Sequence, residues 1–131
     1  MTSPAVEDYL KAIFHLSEEG GTAGTTAVAE RLGVTAGSVT GMLKRLAEQG
    51  FIEHVPYYGA RLTLAGTERA VATIRRHRII EAFLVEVLGY AWDEVHDEAE
   101  VLEHAVSDRM LDRIDAKLGH PTRDPHGDPI P

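Results

Sequence analysis

The 131 residues are 44% hydrophobic and carry a formal net charge of −8, with no cysteine. That is enough apolar material for one compact unit or two small packed ones, and no stretch approaches the ~20 apolar residues of a membrane span. Disulfides and thiolate ligands are excluded, which removes most of the support for structural zinc, copper(I) or iron–sulfur chemistry. The start, Met1-Thr2-Ser3-Pro4, has no basic or apolar signal segment, so a cytoplasmic location is expected.

Net acidity by itself argues against a nucleic-acid partner, but the charge is unevenly spread. Residues 1–64 carry five Lys/Arg and seven Asp/Glu, and residues 65–131 carry eight and fourteen. Within 31–64 the sign reverses: Arg31, Lys44, Arg45 and Arg61 stand against Glu48 and Glu53.

Ser3-Pro4 is a helix start, and Val6, Leu10, Ile13, Phe14 and Leu16 repeat at helical spacing over residues 4–18. Gly20-Gly21 should end that helix. Thr25 or Thr26 is expected to cap a short helix from Ala27 to Leu32, stopped by Gly33. Thr35 then caps a helix to about Gln49, with Val39, Met42, Leu43 and Leu46 as its buried stripe. Two short helices joined by Leu32-Gly33-Val34-Thr35 read as a helix-turn-helix. Residues 51–55 and 61–64 read as two strands around the turn-prone tip Pro56-Tyr57-Tyr58-Gly59-Ala60, the hairpin of a winged helix.

A long helix is expected over 66–88, ending at Gly89, then one capped by Asp93 over 94–105, and a last one from Ser107 to about Leu118. The end of the chain, 120–131, is rich in Pro and Gly and reads as a tail or linker, not as packed structure. The fold class is mainly α, with an N-terminal winged helix-turn-helix over 1–65 and an all-helical second domain over 66–119.

Chemistry concentrates in the acidic half. If the run His96-Asp97-Glu98-Ala99-Glu100-Val101-Leu102-Glu103-His104 is helical, offsets 0, +4, +7 and +8 put His96, Glu100, Glu103 and His104 on one face. Two imidazoles and two carboxylates make a poor core stripe and a good half of a site for Mn, Fe, Co, Ni or Zn. His77 and Glu81, four apart, form a second pair, and Asp8 adds a carboxylate near the N-terminus. The plainer alternative is a solvated i, i+4 pair beside an ordinary charged face. Against it, Glu98, Glu100 and Glu103 repel at close spacing and call for a counter-ion. His15 reads as packing, His54 as wing surface, and His120 and His126 as tail. Arg75, Arg76 and Arg78 read as a solvated or dimer-contacting face.

In the N-terminal half the base readers should sit early in the third helix, at Thr35, Gly37, Ser38, Thr40 and Gly41. Phosphate contact is the default role for Lys44 and Arg45, and the wing tip at Tyr57 could touch the backbone or only pack. None of the early positions is an arginine that forks onto guanine, so shape and spacing should carry much of the specificity. Two other functions are open. A metal-dependent hydrolase would use the same ligands, yet no His-Glu-x-x-His, nucleophile elbow or phosphate loop is present. A metal-independent winged-helix protein would use its acidic half to bind another protein.

The segments Val6-Glu7-Asp8-Tyr9-Leu10, Val34 to Leu46, Arg76-His77-Arg78 and 95–104 together resemble the diphtheria-toxin-repressor family of metal-activated bacterial transcription regulators. The resemblance covers almost the whole chain. It implies a winged-helix DNA-binding domain, a helical dimerisation domain, and homodimers that bind palindromic double-stranded operator DNA and repress when metal is bound. It implies no enzyme activity and no membrane partner. Carried over by residue, it implies one metal site of Asp8, Glu100, Glu103 and His104 and another of His77, Glu81 and His96. Iron-type members have methionine and cysteine where this chain has Asp8 and Glu100. The carboxylates imply Mn²⁺, with Fe²⁺ as the main alternative and Co²⁺, Ni²⁺, Zn²⁺ or Cd²⁺ able to substitute. Manganese-type members usually carry a glutamate ligand at the position of Lys11, so two separate sites are expected here rather than one closely spaced cluster. Iron-type members continue past a segment like Gly127-Asp128-Pro129-Ile130-Pro131 into a third β-barrel domain that donates extra ligands.

Overall fold

The computed structural model describes residues 3–18 and 21–131; Gly20, expected to help end the first helix, lies outside them. The chain divides into two compact units, Met1–Val71 and Ala72–Pro131.

The first unit is built from α1 (Pro4–Ser17), α2 (Thr25–Leu32), α3 (Ala36–Glu48), β1 (Ile52–Val55), β2 (Gly59–Leu62) and the beginning of α4 (Leu64–Glu86). Ser3 caps α1 by accepting from the N–H of Val6, and Pro4 fills the first turn, where no amide proton is needed. Neither Thr25 nor Thr26 caps α2: Gly24 holds that position without a side-chain bond, and Thr25 is already helical. Gly33 closes α2 at φ 67°, a left-handed turn that glycine adopts without a Cβ clash. Thr35 caps α3 as expected, accepting from Ser38 N.

The two strands pair antiparallel, with Ile52 opposite Leu62 and Val55 opposite Gly59. The second strand starts at Gly59, two residues earlier than expected. Ala23 forms a bridge to Ala60 and pulls the strand inward. At Gly59, φ is 107° and an added Cβ would lie 2.1 Å from the Ala23 carbonyl oxygen, so only glycine fits. Leu10, Ile13, Val28, Val39 and Leu46 make the centre of this unit's core and are fully buried. Each is worth about 1.5–3 kcal/mol of transfer free energy.

The second unit holds the rest of α4, then α5 (Val95–Leu102), α6 (Asp108–Lys117) and the C-terminal segment. The sequence-based division at 65/66 falls near the start of α4, whereas the compact units divide after Val71, within it. Ile79, Ile80, Leu84, Val95, Ala99, Leu111 and Ile114 form its core. Residues 79–82 of α4 are all buried, so this stretch is enclosed on every side rather than amphipathic.

Two expectations about α5 fail. Asp93 does not cap it: Glu94 precedes the helix, and its carboxylate accepts instead from Ala91 N at 2.9 Å. The helix ends at Leu102, so Glu103 is its C-cap and His104 lies in the turn beyond. The C-terminal segment is a loop, but it is packed rather than free. Arg123 bridges to Pro129, Arg78 Nη1 donates to Pro129 O at 2.5 Å, and Ile130 packs on the core.

Candidate metal centre

In the second unit α4 presents His77 and Glu81 one turn apart, and both are buried. A solvated i, i+4 pair is therefore excluded. His77 lies between two carboxylates: Nε2 is 3.3 Å from Glu81 Oε1, and Nδ1 is 2.9 Å from Glu103 Oε2. Glu103 is fully buried, and its Oε1 lies 3.4 Å from His104 Nε2. His104, Glu103, His77 and Glu81 thus form an alternating chain of imidazole and carboxylate. His96 is half exposed on α5, with Nε2 3.1 Å from Glu100 Oε1 and Nδ1 3.9 Å from Glu81 Oε2. Its ring meets that of His77 edge-on at 4.8 Å.

The grouping differs from the two sets drawn from the sequence. Glu100, expected beside Glu103 and His104, offers an oxygen within 4.8 Å of nitrogens of His77 and His96. His77 touches Glu103 directly. Asp8 and Lys11 lie on α1 of the first unit, both half-buried.

A third group was missed. Glu81, Asp124 and His126 bring one ligand atom each within 4.8 Å of one another. His126, expected as tail, puts Nδ1 3.4 Å from Glu81 Oε2 and Nε2 2.5 Å from the Trp92 carbonyl. A carbonyl only accepts, so Nε2 carries the proton there. Asp124 Oδ1 accepts from the N–H groups of His126 and Asp128 at 2.9 and 2.8 Å. Asp124-Pro125-His126-Gly127 has the composition of such a turn, but no periodicity links it to a glutamate 43 residues away.

The electrostatics fit a cation. Burial pushes the His77 imidazolium down, yet the hydrogen bonds and charges of Glu103 and Glu81 outweigh it and raise its pKa from 6.5 to about 9. Burial pushes Glu81 up, but the bond and charge of His77, with His126 and Asp124 adding to them, outweigh it and hold Glu81 below the ordinary value. Burial raises Asp124, and the neighbouring charge of Glu81 adds to this while the bond from Asp128 opposes it. Glu81 Oε2 is buried with no hydrogen-bond partner. An orphaned carboxylate oxygen facing imidazole nitrogens, in a chain without cysteine, is a donor set for a hard or borderline divalent ion.

The three arginines around His77 each hold a partner within the second unit. Arg75 pairs with Asp115 at 3.5 Å, Arg76 with Asp108 at 2.8 Å, and Arg78 holds Pro129.

The first unit carries the other candidate surface. Thr35, Gly37, Ser38, Thr40, Gly41, Lys44 and Arg45 are all exposed along α3, opposite its buried stripe. Added Cβ atoms at Gly37 and Gly41 would meet nothing within 4 Å, so these glycines leave open ground. Thr35 Oγ1 donates to Ser38 Oγ at 2.9 Å, and Thr40 Oγ1 donates back to Ala36 O. Tyr57 is fully exposed at the wing tip with φ 70°.

One unit is a winged helix, a form that suits a DNA-binding domain, and the next carries a buried imidazole–carboxylate chain whose donors suit a cation. Comparison with known proteins agrees. Residues 1–60 match the iron-dependent repressor N-terminal DNA-binding domain, and residues 63–131 match the iron-dependent repressor metal-binding and dimerisation domain. The chain belongs to this family, the diphtheria-toxin-repressor group. It is 38% identical to the iron-dependent repressor IdeR of Mycobacterium leprae over 125 residues, 95% of this chain and 54% of that one. It is 42% identical to the transcriptional regulator MntR of Escherichia coli over 107 residues, 82% of this chain and 68% of that one. A manganese-dependent transcriptional repressor solved in complex with manganese superposes with a TM-score of 0.88 at 55% identity, covering 96% of this chain and 58% of that one. The chain thus spans about half the length of the mycobacterial relatives it matches. Among the described residues no helix is long and apolar enough to cross a membrane.

Proposed function

We infer that the chain is a cytoplasmic, homodimeric repressor that binds palindromic operator DNA when Mn²⁺ is bound, with Fe²⁺ as the main competing ion. The observation that carries this is the buried chain His104–Glu103–His77–Glu81, ending in an oxygen without a hydrogen-bond partner, in a protein whose other unit exposes a small, open recognition helix. All donors are oxygen or imidazole nitrogen, the set that suits manganese better than sulfur-preferring ions. A divalent cation supplies the positive charge that these carboxylates otherwise draw from the His77 proton.

The residues divide the work. Glu103, His104, His77, Glu81, His96 and Glu100 hold the ion in the dimerisation half, with Asp124 and His126 as further donors beside Glu81. Asp8 is the donor from the DNA-binding half. Capture of Asp8 fixes the spacing of two recognition helices, which must reach successive major grooves about 34 Å apart. Ion and DNA then favour the same arrangement, and each raises the other's affinity by the same factor. Thr35, Ser38 and Thr40 face base edges, Gly37 and Gly41 allow close approach, and Lys44, Arg45 and Tyr57 take the backbone. The relatives are transcription regulators, which favours this reading over a hydrolase. It also favours it over a metal-independent protein-binding module.

The test is operator binding against a series of divalent ions at buffered free metal. Mn²⁺ should tighten binding by about tenfold or more, the usual range of coupling energies. Equal affinity in chelator and in saturating Mn²⁺ would sink the reading.

A further inference from the structure

Arg76 follows Arg75 on α4 and precedes His77, and its side chain is only 14% exposed. Nε donates to the carbonyl of Glu103 at 2.8 Å, and Nη1 donates to Asp108 Oδ1 at 2.8 Å. Glu103 is the C-cap of α5, and the last carbonyls of a helix have no partner within it. Asp108 is the first residue of α6, where a carboxylate sits at the positive end of the helix. The residues between them form the turn that carries the buried Glu103 carboxylate and the His104 ring. One guanidinium therefore grips both ends of that turn, from the helix that also carries His77 and Glu81.

We propose that Arg76 is a positioning residue for cation capture. It ligates nothing itself. It fixes the main chain at Glu103, so that Glu103 Oε1 and His104 Nε2 stay 3.4 Å apart while Glu103 Oε2 stays against His77. The geometry needs arginine: a planar fork with donors on Nε and Nη1 spans a carbonyl and a carboxylate at once, and an ammonium does not. The adjacent arginines lack this relation. Arg75 reaches Asp115 in the last turns of α6, and Arg78 reaches Pro129. The inference rests on the reading of Glu103 and His104 as ligands.

The experiment uses the full chain and Mn²⁺ alone. Free Mn²⁺ is followed by its electron paramagnetic resonance signal, and bound Mn²⁺ by nitrogen couplings in the pulsed spectrum. R76Q should weaken the tightest site by about tenfold or more, the usual cost of removing a residue that orients a ligand. It should also lose an imidazole nitrogen coupling. R76K should not restore the parent affinity. R75Q, which removes a comparable ion pair away from the turn, should keep both affinity and couplings. Unchanged Mn²⁺ affinity in R76Q would overturn the proposal. So would an equal loss in R75Q, which would mark a general effect of lost ion pairs. If R76Q does not fold, D108A decides, since it keeps the Nε bond and removes the acceptor of the other arm. A several-fold loss supports the proposal and an unchanged affinity overturns it. A parent protein that binds no Mn²⁺ would instead remove the ligand reading on which the proposal stands.

Discussion

The exposed face of α3 and the His77/Glu81 face of α4 look alike as sequence, since both place polar residues at helical spacing, yet their surroundings differ. On α3 the polar side is small and open, and its hydroxyls are occupied within their own first turns. On α4 the polar side is enclosed, and His77 and Glu81 find partners 26 and 45 residues away. Position relative to the buried stripe separates them. Val39, Met42, Leu43 and Leu46 leave one free side on α3, whereas on α4 the buried run 79–82 leaves none along that stretch. A charged residue on a helix that is buried all round must bring its own counter-charge.

The sharpest way to break this contrast is to remove one member of the enclosed chain. Glu103→Ala and His104→Ala should abolish Mn²⁺-dependent operator binding. The sequence alone, with its two separate sets, expects His77→Ala to retain partial activation at high Mn²⁺. The 2.9 Å contact between His77 and Glu103 points the other way, to a loss close to that of Glu103→Ala. Operator affinity across a Mn²⁺ titration for the three variants decides between one connected centre and two. The contrast is sharpened by ion choice. Asp8→Met with Glu100→Cys should move the ratio of activating concentrations toward Co²⁺ or Zn²⁺ and away from Mn²⁺. An unchanged ratio would mean that these two positions do not set selectivity.

A smaller effect concerns metal-free stability. The folded pKa of His77, about 9, lies above its ordinary 6.5, so the protonated form is favoured by folding. Its contribution is complete below about pH 6.5 and is lost as pH rises through about 9. The difference is on the order of a few kcal/mol at 1.36 kcal/mol per unit. Thermal melts of the chelated protein should therefore fall between those limits, and His77→Gln should flatten the fall. A parent curve with no such slope would contradict the ion pairing. The smallest effects belong to the open face. Thr35→Ala should cost about 1 kcal/mol through the lost cap. Lys44→Ala should weaken operator binding at all sequences and lower the salt slope by about one phosphate, with Mn²⁺ affinity unchanged.

Much of this architecture was legible from local signals. Ser3, Thr35 and Ser107 announce helix starts, Gly33 a helix end, and the apolar spacing of α1 and α3 their buried sides. The errors arose where a distant contact overrides local preference. Gly24 displaces two threonines as the cap of α2, next to the Ala23 bridge to Ala60. The α5 helix stops short because Glu103 turns inward to His77 and its carbonyl turns to Arg76. The candidate ligand types were visible in the sequence, and so was the pairing of His77 with His96, but the placement of Glu100 beside those two was not, since sequence spacing gives faces of one helix and not distances between helices. His126 was the clearest omission: its role depends on a chain reversal that brings it to Glu81.

That reversal also gives the protein an optical probe. Trp92 is the chain's single tryptophan, and its indole meets the His126 ring edge-on at 5.7 Å. Emission at one wavelength therefore comes from one place, beside Glu81 and Asp124. Indole emission responds to groups in contact with the ring, so untagged protein in a cuvette reports events at this corner of the molecule.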